Sequence, residues 1–408
     1  MDVRPRPRLF RALVAAVVAP TVLALAPTHP VSAGTSDADW GAGYGSYLIR
    51  SDAEVAANRQ SWRGGTVVLQ AWQTDELARL KERNPDLTVL MYKNMSATYR
   101  DTCRDGCTRD SPVVPGGIGY HWAQDHHPEW FLRDEGGTAL EWADWRGLFP
   151  MDTSNEDYQQ TWEANVRAEL EAHPWDGVMV DDTLTWRSHP VVGDRVPTRM
   201  ATDEQQYAAT RAFLAAVVPD LERAGWLVVP NITLSWENWR GALTELSPYV
   251  SGWENEHFVM WGRDGSDGRF ADTDDWTWKV QMAEWLADRD LPLLAITYST
   301  PDDRAAMRYH RATWLLTWNG HTGASIFVST DESVAQDQRA AIEDVGLPTG
   351  PREKVDGVWR RAYTDGLVLV NPTDSVQVVR VGPGYEVDRV RLGPRTGRVL
   401  QAATGQIG

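Results

Sequence analysis

The chain has 408 residues and a formal net charge of −17. That length exceeds a single small domain, and the acidity argues against nucleic acid as a partner, because a phosphate backbone is gripped by Lys and Arg. Acidity otherwise speaks to solubility and not to chemistry.

The first 33 residues, "MDVRPRPRLFRALVAAVVAPTVLALAPTHPVSA", combine an Arg-rich start, an apolar stretch from Ala12 to Ala26 and a small-residue end at Val31-Ser32-Ala33. That is the pattern of a secretory signal peptide, with cleavage expected after Ala33. The apolar stretch is shorter than the ~20 residues a membrane span needs. The protein is therefore expected outside the cell, with no membrane contact after cleavage. The leader takes four Arg and one Asp with it, so the mature chain is more acidic still. The scarcity of Lys beside Arg points to a GC-rich bacterial genome.

Beyond the leader, apolar runs with strand character recur at Tyr47–Arg50, Thr66–Gln70, Thr88–Asn94, Gly177–Asp182, Leu227–Thr233, Val250–Glu256, Pro292–Ser299 and Ala324–Ser329. Helical patterns fill most of the gaps. "TDELARLKERNP", "NEDYQQTWEANVRAELEAHP", "ATDEQQYAATRAFLAAVVPDLERAG" and "DDWTWKVQMAEWLADRD" repeat apolar residues every three or four positions, and several close on Gly or Pro. Alternating strand and helix predicts a parallel sheet with helical crossovers. Eight such strands predict an α/β fold, a (β/α)₈ TIM barrel over residues 34–348. The rival, an open doubly wound sheet, lacks its Gly-rich phosphate fingerprint after an early strand.

One connection is unusually long. From Asn94 the chain runs some 60 residues before a clear helical pattern, a length typical of functional lids. It carries Cys103 and Cys107 in "CRDGC", the only two cysteines. In an exported protein that spacing predicts a short disulfide-closed loop. A metal site would need further ligands nearby, so no metal is expected there. The same segment gathers Trp122, Trp130, Trp142 and Trp145 out of 21 Trp in the chain, an excess that suits stacking on the flat faces of sugars. From Val358 the pattern changes to short β runs and turns without helices, which predicts a small C-terminal β-sandwich-like domain over 349–408.

In a TIM barrel the chemistry sits at the carboxyl ends of the strands. "DGVMVDD" ends in Asp181 and Asp182, and "YVSGWENEHF" ends in Glu254 and Glu256. Glu254 and Glu256 share a strand face, whereas Asp181 and Asp182 point oppositely unless the strand bends. Hydrolysis of a glycosidic bond uses this inventory. One carboxyl protonates the leaving oxygen, and the other attacks or stabilises the oxocarbenium-like centre. The bland alternative for each acid is a helix N-cap, and Asp182-Thr183 fits that role.

"DGVMVDD" resembles the fourth-strand motif of barrel glycosidases in and around glycoside hydrolase family 114. The longer layout of "NPDLTVLMYKN", "PEWFLRD", "MDTSNEDYQQTW", "DGVMVDDT" and "GVWRRAYTDGLVLVNPT" is similar to a group of secreted bacterial glycoside-hydrolase-like proteins, distinct from the glucoamylases, over roughly residues 40–375. The resemblance implies a fourth-strand Asp as nucleophile, here Asp181, and a sixth-strand Glu as general acid, here Glu256 in "EHF". This chain departs from the pattern in carrying a second acid, Glu254, on that strand and in having Asp182 rather than Asn after Asp181. The substrate implied is a poly- or oligosaccharide. Its sugar does not transfer, since such relatives include amino-sugar-polymer hydrolases.

Further candidates for substrate contact are Tyr92 and Lys93 at the third strand end, Asn231 at the fifth and Tyr298 at the seventh. Trp122, His126, Trp130 and Trp186 join them as aromatic or hydrogen-bonding loop residues. Lys93 is a candidate partner for Asp181, holding it ionised. Asp125-His126-His127 looks like a metal phosphoesterase fragment but has no companion Asp-x-Asp, and a zinc deacetylase would want a His-x-x-x-His pair that is missing. No Gly-x-Ser-x-Gly elbow, phosphate loop or His-Glu-x-x-His helix occurs. The expectation is a secreted glycoside hydrolase with no cofactor. The alternatives are a non-catalytic glycan-binding protein on the same scaffold, or a metal-dependent polysaccharide deacetylase.

Overall fold

The computed structural model describes residues 43, 45–47, 65–100, 115–261, 269–330 and 345–402. The leader and the Cys103–Cys107 loop lie outside those residues. Eight parallel strands form one sheet: β1 Gly45–Tyr47, β2 Thr66–Gln70, β3 Thr88–Asn94, β4 Gly177–Thr183, β5 Leu227–Ile232, β6 Trp253–Asn255, β7 Leu293–Ser299 and β8 Ala324–Ser329. They pair in chain order. β8 comes round to β1, where Ser325 N–H donates to the Gly43 carbonyl at 3.1 Å, and the sheet is a nearly closed TIM barrel. Gly45 is required at that seam. A Cβ there would stand 2.5 Å from the Thr66 carbonyl oxygen and 3.3 Å from side-chain atoms of Ala324 and Ile326.

Period-two alternation divides the strand side chains. Val68, Leu90, Met179, Val229, Leu294, Ile296 and Ile326 fill the barrel interior. Their neighbours Val67, Val89, Val178, Val180 and Val228 face outward into the larger core beneath the helices. Seven helices accompany the described strands: α1 Thr74–Arg83, α2 Tyr120–His126, α3 Glu156–Ala172, α4 Asp203–Arg223, α5 Trp239–Leu246, α6 Thr273–Ala287 and α7 Arg304–Leu315. Their starts follow the capping rule. Asn155, Thr202, Asp272 and Asp303 each accept from a backbone N–H of the first turn. α4 carries Pro219 in its last turn without ending there.

The long segment after β3 is more ordered than its sequence pattern suggests. Ala97–Tyr99 pairs with Leu148–Pro150 as a small antiparallel ribbon, and α2 and the short 3₁₀ turn Pro128–Trp130 sit between them. These elements are too short to display a hydrophobic period. The sixth strand is shorter than expected, with Val250–Gly252 leading into it as a loop.

After the barrel come two antiparallel sheets. One has four strands, β9 Glu353–Val355, β10 Val358–Tyr363, β11 Gly366–Asn371 and β14 Thr396–Gln401. The other pairs β12 Gln377–Arg380 with β13 Arg389–Leu392. They share a core of Val358, Leu367, Leu369, Val379, Val390 and Leu392. They are fastened to α7, where Tyr363 Oη donates to the Leu315 carbonyl at 2.5 Å and Arg361 Nη1 donates to the Trp318 carbonyl at 2.7 Å. Among the described residues no helix is long and apolar enough to cross a membrane.

Candidate active site

Strand parity builds the rim. The inward positions that are apolar deep in the barrel turn polar at the carboxyl ends: Tyr92 on β3, Asp181 on β4, Asn231 on β5, Glu254 and Glu256 on and just after β6, and Tyr298 on β7. Asp181 has both oxygens engaged. Tyr92 Oη donates to Oδ2 at 2.6 Å, while Asn231 Nδ2 and the Asp182 N–H donate to Oδ1 at 2.9 and 2.8 Å. Tyr99 stands behind Tyr92, hydroxyl to hydroxyl at 3.0 Å. Burial pushes the Asp181 carboxyl up to about 8, the charges of Asp182 and Glu256 add to the rise, and the Tyr92 and Asn231 hydrogen bonds oppose it.

Simple alternation would aim Asp182 outward, but β4 carries a bulge. Its register against β5 slips between Val180 and Thr183, and Asp182 takes a left-handed φ of 55°. Both carboxylates thereby stay at the rim. Asn94 Nδ2 donates to Asp182 Oδ2 at 2.5 Å, Ser96 Oγ donates to the Asp182 carbonyl at 2.6 Å, and His189 Nε2 lies 3.1 Å from Oδ1. Asp182 therefore caps no helix. Thr183 is still strand, and the next α-helix begins at Asp203 under a Thr202 cap.

Glu256 is half-buried and accepts from Tyr298 Oη at 2.5 Å. Its neighbour His257 sits at φ 54°, and Lys279 Nζ from α6 donates to the His257 carbonyl at 2.6 Å, pinning the turn that presents Glu256. Burial depresses the Lys279 ammonium to about 8. Glu254, the second acid of that strand, is sealed below the rim at 0% exposure. It shares Glu256's face but lies two residues, roughly 6.6 Å, deeper along the strand. Neither of its oxygens has a hydrogen-bond partner among the described residues. Burial first, then the charges of Glu256 and Asp181, push its carboxyl well above the ordinary range. Tyr47 on β1 shares the interior with Glu254, and burial and the Glu254 charge raise its phenol as well.

Tyr92, Asn231 and Tyr298 thus meet the two carboxylates as their sequence positions suggest, and Lys93 does not. With Tyr92 inward, Lys93 must face outward. It is fully buried against α3, where Nζ contacts both oxygens of Glu169 at 2.7 and 2.8 Å. Trp130 is core, 1% exposed, under the His127 ring at 3.9 Å. Trp122 and His126 stack on each other at 5.1 Å at one end of α2, and their described contacts do not include the carboxyl group cluster. Trp186 stays half-buried on the loop after β4. Asn238 Nδ2 donates to Thr185 Oγ1 at 3.0 Å, which ties that loop to the loop bearing exposed Trp236.

Sequence reasoning missed Tyr47, Asn94, Ser96, Tyr99 and His189, and named Trp142 only among the tryptophans of the long segment. Asn94 was legible as the polar end of an inward row. Trp142 and His189 are 47 positions apart and meet only in the fold, ring to ring at 4.2 Å. They border a cleft of about 390 Å³ beside Asp182, lined also by Ser96, Leu184, Arg187 and Met200.

Comparison with known proteins gives one family. The model described as hypothetical glycosyl hydrolase family 15 matches residues 81–367, well over half of the chain. No curated protein sequence matches. Among solved structures, the glycoside hydrolase domain of PelA from Pseudomonas aeruginosa is 18% identical, with 71% of this chain and 96% of that chain covered at a TM-score of 0.47. An α-amylase from Geobacillus thermoleovorans, solved with acarbose, is 12% identical over 90% of this chain and 99% of that chain, at a TM-score of 0.48. Ega3 from Aspergillus fumigatus, solved with galactosamine, is 10% identical over 72% and 92%, at a TM-score of 0.42.

Proposed function

Since the chain belongs to hypothetical glycosyl hydrolase family 15, we propose that it hydrolyses a glycosidic bond of a poly- or oligosaccharide with Asp181 and Glu256 as the working carboxyls. One observation carries this reading. Two half-buried carboxyls stand on the same barrel rim, with one strand between theirs, and each is held by its own tyrosine, Tyr92 on Asp181 and Tyr298 on Glu256.

Roles follow from the surroundings. Asp181 accepts three hydrogen bonds, which fix its lone pairs and favour the ionised form, so it serves as nucleophile or as the charge that stabilises the oxocarbenium-like centre. Glu256 accepts only the tyrosine hydroxyl among the described contacts and takes the part of general acid and base. The charge of Glu256 is among the causes that oppose ionisation of Asp181, and a general acid that carries the proton for the leaving oxygen is without that charge. Tyr92 and Asn231 orient Asp181 rather than the sugar, and Trp186 and Trp236 on the tied loops supply stacking surfaces for the glycan. The barrel is the catalytic domain, the sheets after about residue 349 form a second domain, and the leader directs export.

The test is reducing-end release from a panel of bacterial and fungal polysaccharides, amino-sugar polymers included, with EDTA present. Wild type should cut at least one of them. Asp181→Asn and Glu256→Gln should each lower kcat/KM by about 10²–10⁴ while glycan binding persists. Equal binding by all three proteins with no cutting would replace the reading by that of a glycan-binding protein. Cutting lost only on chelation would replace it by metal chemistry.

A further inference from the structure

His189 takes no part in the two-carboxylate scheme, yet it is built into its flank. Its Nε2 lies 3.1 Å from Asp182 Oδ1 and its Nδ1 lies 3.8 Å from Asp144 Oδ2. Both ring nitrogens face carboxylate oxygens, and only the imidazolium form carries a proton on each. The ring stacks on Trp142 at 4.2 Å, with 29° between planes, an arrangement that also favours a cation. The side chain is 18% exposed and lines the cleft beside Asp182. The charged groups facing it are Asp181 and Asp182 from β4 and Asp144 from the long segment after β3, with Arg187, Asp194 and Arg195 along the cleft wall. Arg195 is already engaged with Asp134 at 3.2 Å, and Arg187 leans toward Asp203 at 3.8 Å.

We propose that His189 is a positioning residue of the site: its protonated ring neutralises Asp182 and thereby lets the adjacent Asp181 ionise. The proposal rests on the glycosidase reading for its consequence in catalysis, though not for the coupling itself. Asp182 is held beside Asp181 by the β4 bulge, and its charge is among the causes that keep the Asp181 carboxyl protonated. A cation placed on Asp182 from the far side removes that cause without touching substrate. Burial works against charging the ring, but Asp182, then Asp181 and Asp144, outweigh it and raise His189 above the ordinary imidazole value. As pH climbs through that raised value the ring loses its charge, Asp182 is left uncompensated, and ionisation of Asp181 becomes harder.

Two measurements test this. The acidic limb of kcat/KM reports groups of the free enzyme. His189→Gln keeps a donor for Asp182 but carries no charge, so its acidic limb should move to higher pH, with a loss of about threefold or more on that limb and little loss on the plateau. His189→Arg should restore the limb. A uniform fall at every pH in both variants would overturn the proposal, because a merely structural role predicts that. The second measurement needs no activity. Coupling between two titrations is reciprocal, so the His189 ring, followed by NMR and assigned by its loss in His189→Gln, should titrate at lower pH in Asp181→Asn than in wild type. An unchanged midpoint in Asp181→Asn overturns the proposal. If the midpoint moves while wild type cuts no glycan, the charge coupling stands and the glycosidase reading falls.

Discussion

Glu254 makes the fold's stability depend on pH in a direction opposite to that of most carboxylates. Unfolded, it ionises near its ordinary value of 4.5; folded, burial and the charges of Glu256 and Asp181 keep it protonated well above that. Above about pH 4.5 the unfolded chain therefore binds fewer protons than the folded one, and stability falls as pH rises until the folded carboxyl itself ionises. One retained proton is worth about 1.4 kcal/mol per pH unit, and that penalty accumulates from about pH 4.5 for as long as the folded carboxyl keeps its proton. Glu254→Gln keeps the shape and has no proton to hold. The guanidinium midpoints of the two proteins, compared from about pH 4 to pH 7, should coincide at the acid end and diverge toward neutrality, with the variant the more stable. Asp181, raised in the same direction, is present in both proteins and drops out of the difference. A separation that does not grow with pH would refute the reasoning and mean that Glu254 is ionised in the fold.

Removing the Tyr92 hydroxyl takes away a hydrogen bond that lowers the Asp181 value, so Tyr92→Phe should shift the acidic limb of kcat/KM upward, read from a pH profile on whichever glycan is cut. For the buried Lys93–Glu169 pair, burial pushes the ammonium down and the carboxyl up against their mutual attraction. Lys93→Met should cost about 3–5 kcal/mol and the double change with Glu169→Leu should recover most of it, measured by chemical denaturation. Activity per folded molecule should stay at the wild-type level in both, since Lys93 faces away from the rim. Trp130→Ala should likewise appear as about 3–5 kcal/mol of lost stability and not as a change in glycan affinity by titration calorimetry.

The barrel was legible because its strands are buried on both faces and read as short apolar runs between turn formers. Thr66–Gln70, Thr88–Asn94 and Ala324–Ser329 end where the sequence pattern puts them. The polar ends of those runs pointed to the rim for the same reason, and period-two parity, applied from Tyr92, would also have turned Lys93 outward. Parity failed at Asp182, because a bulge is one residue out of step and leaves no mark in composition. Depth was equally hidden. Glu254 and Glu256 have the same parity, and only the three-dimensional rim separates a sealed acid from a half-buried one. Trp142 and His189 come from the two long loops, whose ends are fixed by ladders such as Ala143 N–H to the Pro190 carbonyl at 2.8 Å. No local pattern records such a pairing.

Four carboxyls crowd the rim and the barrel interior just below it, and unmitigated they would repel one another and deter the developing negative charge of a leaving alkoxide. The fold treats each one differently. Glu254 is placed where water does not reach and stays neutral. Asp182 is turned by the bulge onto Asn94 and the His189 ring, so that its charge faces a cation. What remains is Asp181 and Glu256, and the charge of Glu256 adds to the cost of ionising Asp181. A pair with one proton and one charge is the state that glycosidic cleavage needs at its start: an acid for the leaving oxygen and an anion for the anomeric carbon. In this view the second Asp of "VDD" and the second Glu of "WENEH" are not spare catalysts. On the proposed reading, Asp182 acts on the working pair through its charge on Asp181, and Glu254 withholds its own by staying protonated. Replacing Asp182 should change the pH at which that pair works before it changes how fast it works.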